Sequence, residues 1–383
     1  MKRATARLLL DTLRLGGGGA PEPTAARKAW SRVGTRALAA LMVWEGGAQW
    51  LLRRRRETGL EDAAPPPFIA ALRKVAMDEQ ARSMLVDAET QELERYLSER
   101  GIPSVLIKGP ARRAASGLYP YADARATLDV DVLLPEQQVR EVWDDLRERG
   151  WPLATDPEAT PLGHYHPPPL RGPMGVTVEL HSSTGSAIPP DEAWRRATEG
   201  GAELEWNQVR VRVPPATELL WHGLTRALVA GPAGFRLRYF LDAAAVLASR
   251  HSIDWERVAA RLDAAEDVIP SHARAWLRAS AELAGCDLPA SVRGACAPFD
   301  LERALAWRLA AIARAGTGRF AERLLDEGTR AELGLGVAPV IAGTGPYSQI
   351  RRWLAGRTAS LAYGAWRVVG RHVADGRLEW NNS

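Results

Sequence analysis

The feature that most constrains this chain is a change of hydrophobic period. Residues 127–134 read TLDVDVLL, in which Leu128, Val130 and Val132 alternate with Asp129 and Asp131. A repeat of two sends successive side chains to opposite faces, the pattern of a β-strand and not of a helix. On both sides the period is helical. Phe68, Leu72, Val75, Leu85, Leu93 and Leu97 fall mostly at three- and four-residue spacing behind Pro65–Pro67, and Gly101 supplies a stop. After the strand, Pro135 opens a segment in which Val139, Val142, Trp143 and Leu146 recur on one helical face, and Gly150 ends it. Val105–Ile107 fits a short buried strand and Val176–His181 another. Val209, Val211 and Val213 alternate with Arg210 and Arg212, a half-exposed strand that pairs as a hairpin with Ala202–Trp206.

From Pro215 onward the helical period returns. Helices are expected over 216–230, 235–250, 254–265, 271–284, 301–315 and 347–370, with an irregular glycine-rich stretch at Gly334–Gly345. An amphipathic helix is also expected at Arg7–Leu15. A chain of 383 residues is too long for one small core. The order of periods predicts an α+β fold: an N-terminal helical region (1–100), a mixed-sheet α/β core (101–214) and a C-terminal helical domain (215–383).

Composition removes several classes. Hydrophobic residues at 46% and charged residues at 25% describe a folded chain, not a disordered one. Two cysteines, Cys286 and Cys296, exclude a disulfide framework and a cysteine-rich zinc site, and are expected as buried or inert thiols. No stretch approaches the roughly 18 uninterrupted apolar residues of a membrane helix; the best, Arg36–Leu52, contains Glu45 and two glycines. The chain opens without a charged–apolar–small leader pattern, so a cytoplasmic protein is expected. A net charge of +4 does not establish nucleic-acid binding, and the run Arg53–Arg56 is expected as a solvated helix end. Only four of the 50 basic residues are lysine: Lys2, Lys28, Lys74 and Lys108. Where arginine is the default cation, a lysine hints that a compact ammonium is wanted.

Asp129 and Asp131 carry the sharpest chemical signal. Residues i and i+2 of a strand share a face, with Cα atoms about 6–7 Å apart. Two such carboxylates can hold hard cations, and magnesium is commonly bound by one or two carboxylates together with substrate phosphates. A pair of ions can clamp the attacking and leaving oxygens of an in-line displacement. An ordinary surface strand shows the same pattern. Here the flanking Leu128, Val132, Leu133 and Leu134 point to a buried strand whose carboxylates require partners. Glu179 and His181 repeat the spacing on the next strand and add a third carboxylate. Upstream, Ile107-Lys108-Gly109-Pro110 ends a strand and begins a helix. Gly109 lets backbone approach a phosphate, Pro110 suits a first helical turn, and Lys108 can set its ammonium on a triphosphate. No GxxxxGK[ST] occurs, so this is not a P-loop.

The neighbouring residues have two readings each. His181 is either a substrate or phosphate contact or a hydrogen-bonded core histidine. His164 and His166, in HYHPPP, either touch acceptor or nucleotide or are plain loop residues; a His-x-His with no third nearby ligand is not a credible zinc site. Arg125 is expected to neutralise phosphate or to pair with Asp129. His222 and Asp242 are expected as satisfied polar groups on helices lining the cleft, and Trp221, Trp255 and Trp276 as core anchors.

The run Leu106–Pro135, LIKGPARRAASGLYPYADARATLDVDVLLP, resembles the signature of the uncharacterised nucleotidyltransferase family, within the DNA polymerase beta-like nucleotidyltransferase superfamily. The matching residues are Lys108, Gly109, Leu118, Tyr119, Arg125, Asp129 and Asp131. Glu179-Leu180-His181 is similar to the family's later Glu-Leu-His, and His164, His166 and Pro167 to the cluster before it. Leu219–His222, Tyr239–Asp242 and Asp254–Glu256 follow in the family's order, so the resemblance spans 36–290. Gly109-Pro110 departs from the Gly-Gly or Gly-Ser of the wider superfamily. That removes a serine contact to the phosphates, which Lys108 would partly replace.

The resemblance implies metal-dependent transfer of a nucleoside monophosphate from an NTP such as ATP to an unknown hydroxyl or phosphate acceptor, with pyrophosphate leaving. Asp129, Asp131 and Glu179 would bind magnesium (or manganese) and carry catalysis, with Glu179 orienting or deprotonating the acceptor. Lys108, Gly109, Arg125, His166 and His181 would bind nucleotide or acceptor. The acceptor would be a small molecule, peptide or sugar, in natural-product or polysaccharide tailoring. Two other readings stay open: phosphoryl or glycosyl transfer from a nucleotide donor at the same site, and a non-catalytic, antitoxin-like binding protein that kept the fold.

Overall fold

The computed structural model describes residues 2–309 apart from 17–21, 32–40, 43–45, 116, 120–123, 155–165, 186–187, 230–235, 266–267 and 307–308. His164, the glycine-rich stretch at 334–345, the helix expected over 347–370 and most of 307–315 lie outside the described residues; 301–306 are helical.

The N-terminal helices are α1 (Lys2–Leu13), α2 (Pro23–Trp30), α3 (Ala48–Glu57) and the long α4 (Pro66–Glu99). Proline opens both α2 and α4, where its missing N–H sacrifices no helical bond. Gly101, at φ +66°, turns the chain out of α4 into β1 (Val105–Leu106). Next come the short α5 (Lys108–Ala114), β2 (Asp129–Leu133) and α6 (Glu136–Glu148). Beyond them lie β3 (Leu170–Arg171), β4 (Thr177–His181) and α7 (Pro190–Thr198).

The four strands form one mixed sheet in the order β1-β2-β4-β3. β2 and β4 are parallel, joined across α6, while β1 and β3 run antiparallel on the edges. This mixed sheet with its helices is the α+β, nucleotidyltransferase-like architecture expected. β5 (Ala202–Trp206) and β6 (Val209–Val213) form the expected hairpin. Asn207 and Gln208 both sit at positive φ, the backbone a two-residue turn requires to match strand twist.

The sheet's two faces differ in kind. Val130, Val132, Val178 and Leu180 are buried in the main core. The other face begins polar, with Asp129, Asp131 and Glu179, and becomes apolar at Leu133. There Val105, Ile107, Leu133 and Ala197 form a small separate cluster backed by Trp194, so α7 closes the floor beneath the polar end.

The later helices are α8 (Ala216–Val229), α9 (Leu237–Ala248), α10 (Trp255–Asp263) and α11 (Pro270–Ala284). Asp254 caps α10 by accepting from Arg257 N, and its own N–H donates to Thr217 Oγ1 on α8. Arg261 of α10 donates to both oxygens of buried Glu218 on α8, at 3.0 and 2.6 Å. Trp221 and Trp276 are core residues as expected, and Trp255 packs partly buried against that core. Cys286 is exposed, not buried, and Cys296 is half-buried; both are free thiols. Among the described residues no helix is long and apolar enough to cross a membrane.

Candidate active site

Strand register builds the centre. In the parallel pair, Asp129 lies opposite Thr177, Asp131 opposite Glu179, and Leu133 opposite His181. Alternation then puts Asp129, Asp131, Glu179 and His181 on one face. Ile107 N donates to Asp131 O, tying the residue before Lys108 to β2. Lys108 itself sits at φ +52°, a left-handed backbone that costs a non-glycine residue on the order of 1–3 kcal/mol. Its ammonium donates to Asp131 Oδ1 at 2.5 Å and to Glu179 Oε2 at 3.1 Å, and lies 3.3 Å from His181 Nε2. His181 Nε2 is 2.9 Å from Asp131 Oδ1 and 3.2 Å from Glu179 Oε2. His166 stands edge-to-face with His181, ring centroids 4.9 Å apart, and its Nε2 is 4.0 Å from Glu179 Oε2.

The charges in this cluster act on one another at close range. Burial, then repulsion from Asp131, raises the Asp129 carboxyl to about 6 against the pull of Lys108. Burial also pushes Glu179 upward. The hydrogen bond from His181 and the charges of Lys108, His181 and His166 outweigh it and hold Glu179 well below the usual carboxylate range. Burial, then the neighbouring His181, lowers His166. Asp131 is 1% exposed, and its Oδ2 is buried without a hydrogen-bond partner among the described residues. An orphaned carboxylate oxygen beside two further carboxylates, with an ammonium seated among them, is a donor set that fits a divalent cation.

Asp129, Asp131, Glu179 and Lys108 line a cavity of about 130 Å³, whereas His166 and His181 lie outside its lining. The sheet face and Lys108 supply its carboxylates and ammonium. The helices supply its guanidinium groups: Arg112 on α5, Arg226 on α8 and Arg238 on α9, with Arg125 from the segment before β2. His222, Tyr239 and Asp242 complete that side. Arg125 pairs with Asp242, Nε to Oδ1 at 2.8 Å, and not with Asp129 as one reading expected, because Asp242 on α9 meets it first in the buried layer. Asp242 also accepts from Tyr119 OH and lies 3.6 Å from Arg112 Nε. Arg112 further donates to Lys108 O and Leu219 O, linking α5 to α8. Burial raises Asp242 to about 7 despite Arg112. Burial and the charges of Arg112 and Arg226 hold His222 well below its ordinary value.

Gly109 lines the cavity, and packing adds a reason for glycine there. A Cβ on it would meet Thr127 Cγ2 at 2.7 Å and Oγ1 at 2.9 Å. Arg112, Arg226 and Arg238 carry no sequence signal of their own, and Tyr239 enters only as the first residue of the Tyr239–Asp242 match. In so arginine-rich a chain no arginine stands out by composition. The His-x-His motif lacks a third ligand nearby in sequence, yet folding brings His166 together with Glu179 and His181.

No curated protein and no solved structure matches the chain. The family model described as "Uncharacterised nucleotidyltransferase" matches residues 31–266. That span holds the whole mixed sheet, Lys108, the three carboxylates and the arginine-bearing helices. With more than half of its length matched, the chain belongs to the uncharacterised nucleotidyltransferase family.

Proposed function

We propose that this protein is a divalent-metal-dependent transferase that moves a nucleoside monophosphate from an NTP to a hydroxyl or phosphate acceptor. The observation that carries this reading is the division of one cavity between a carboxylate-bearing sheet face and guanidinium-bearing helices. Arginines alone would bind any anion, and carboxylates alone would repel a triphosphate. Together they suit a polyanion delivered with its counter-ions, for which catalysis is mostly positioning and charge neutralisation. A divalent cation held by Asp129, Asp131 and Glu179 would neutralise charge on the phosphates and polarise the attacking oxygen.

The chain's own groups do the rest. Strand register fixes Glu179 beside Asp131, and its strongly favoured ionised form accepts a hydrogen bond from the acceptor hydroxyl and orients it, while so weak a base is poorly suited to take the proton. Arg112, Arg226 and Arg238 receive the outer phosphates, and Lys108 follows them as pyrophosphate departs. Neutral His222 adds a hydrogen-bonding group without another charge.

The test uses each NTP labelled in turn at the α- and γ-phosphate, with magnesium or manganese and candidate hydroxyl acceptors. The reading expects α-label on the acceptor and pyrophosphate released. γ-Label on the acceptor with nucleoside diphosphate released identifies phosphoryl transfer instead, and in a parallel reaction with a nucleotide-activated sugar as donor, nucleoside diphosphate released beside a glycosylated acceptor identifies glycosyl transfer. Label transfer that survives Asp131→Asn unchanged overturns the site assignment.

A further inference from the structure

The carboxylate triad explains a magnesium-type site through oxygen ligands alone. It leaves two imidazoles unexplained. His166, Glu179 and His181 each offer one ligand atom, and these atoms lie within 4.8 Å of one another. His181 Nε2 reaches Asp131 Oδ1 and Glu179 Oε2 at 2.9 and 3.2 Å, and His166 Nε2 is 4.0 Å from the same Glu179 oxygen. Nitrogen and oxygen ligands about 2.0–2.2 Å from one ion stand roughly 3–3.5 Å apart. The His181 distances already match, and His166 Nε2 stands just outside that range.

Two independent features point the same way. First, His166 Nδ1 is 2.8 Å from Pro167 O. A carbonyl only accepts, so Nδ1 carries a proton, and Nε2 is the ring nitrogen left facing Glu179. A ligating histidine characteristically donates its other ring N–H to such an acceptor. The segment holding that carbonyl is pinned: Trp143 Nε1 donates to Pro168 O and Ala154 N to Pro169 O, both at 2.8 Å. Second, a cation is already in the cage. Lys108 Nζ is 2.5, 3.1 and 3.3 Å from the nearest atoms of Asp131, Glu179 and His181, held there from a left-handed backbone.

We propose that Asp131, Glu179, His181 and His166 form a mixed nitrogen–oxygen site for one divalent cation of the manganese-to-zinc class, and that Lys108 is its built-in counter-ion, displaced together with the Nε2 proton of His181 when the metal enters. The site shares Asp131 and Glu179 with the proposed transfer reaction but does not depend on an NTP being the substrate. Imidazole ligands favour manganese, cobalt and zinc over magnesium, whose preference is for oxygen. Lys108 balances one of the two carboxylate charges of the cage; a divalent ion balances both, and the ammonium can then turn into the cavity.

The experiment is titration of the full chain, treated with chelator and then desalted, with cobalt(II) in the absence of nucleotide. Visible absorption and calorimetry are read together. One cobalt per chain is expected, displaced by equimolar zinc and not by equimolar magnesium. His166→Ala should weaken cobalt binding by at least roughly tenfold and change the spectrum, since even outer-shell partners cost about that much. Lys108→Met should strengthen it by roughly tenfold or more, because a like charge a few ångströms away is removed. No cobalt uptake, uptake that magnesium reverses at equal concentration, or uptake unchanged in His166→Ala overturns the metal assignment. Affinity unchanged in Lys108→Met overturns the counter-ion role. Magnesium-supported label transfer without cobalt binding sinks this proposal alone, whereas cobalt binding without label transfer from any NTP sinks the transfer reading alone.

Discussion

Asp131 and Glu179 are directly opposed Cα partners in the parallel pair β2–β4, and one ammonium, Lys108 Nζ, bridges their side chains. The spacing of two acids in one strand becomes a three-dimensional constellation only through this register. A slip of one residue would turn Glu179 and His181 to the apolar face.

That register makes the centre sensitive to single charges. Asp131→Asn and Glu179→Gln are each expected to lower turnover by more than roughly a hundredfold, beyond the loss of an outer-shell partner. Far-UV circular dichroism should stay that of the parent protein. Steady-state label transfer checks the first point, and turnover within a few-fold of the parent would contradict it.

Lys108→Arg keeps the charge and changes its shape. A planar guanidinium cannot fit the compact space defined by contacts at 2.5, 3.1 and 3.3 Å. Turnover is expected to fall at least roughly tenfold despite conserved charge. Lys108→Ala should raise the NTP concentration required. Wild-type kinetics in both variants would remove Lys108 from the reaction.

Gly109→Ala should destabilise the fold by about 1–3 kcal/mol, the usual cost of overpacking. Thr127→Ala in the same chain should recover part of the loss, because it removes the two atoms nearest the new methyl. Urea denaturation of the two single variants and the double variant reads this coupling. Strict additivity would show that Thr127 is not the obstacle.

Glu94 gives a pH test outside the site. Burial raises its carboxyl from 4.5 to about 7 against a hydrogen bond from Ser104. Below about pH 4.5 the group is protonated in both states. Between about 4.5 and 7 the unfolded chain ionises it while the folded chain retains the proton, so its contribution to stability is lost as pH rises through 7. Glu94→Gln should flatten that fall by about 1–3 kcal/mol between pH 5 and 8. An unchanged slope in the variant would refute the shift.

Asp242 binds Arg112, Arg125 and Tyr119 in one buried knot. Asp242→Ala leaves two guanidinium groups uncompensated and should cost about 3–5 kcal/mol. Tyr119→Phe removes one hydrogen bond to a charged group and should cost about 1–3 kcal/mol. Melting curves rank the two, and a larger loss for Tyr119→Phe would reverse the assignment.

The sequence made the strands legible where the period of two was clean. β2, β4 and the β5–β6 hairpin lie close to where alternation put them. β3 has two residues and no period to detect, and α7, which begins at Pro190, lies in a stretch to which the periodicity assigns no element. Lys108 stood out because lysine is rare here. Arg112, Arg226 and Arg238 did not, because arginine is everywhere and only folding selects the few that line the cavity. His166 joined His181 only through the pairing of β4 with its neighbours, a relationship that no local spacing encodes.

The division of the cavity between sheet and helices has an evolutionary corollary. The carboxylates sit on paired strands, where a neighbour's register restricts every change. The arginines project from helices, where one residue can be exchanged without shifting the next. On the proposed reading, descendants of this scaffold can therefore drift in which polyanion they accept while the carboxylate centre stays fixed. Within a family built this way, the helical lining is the place to look for differences in substrate, and the strands for what its members share.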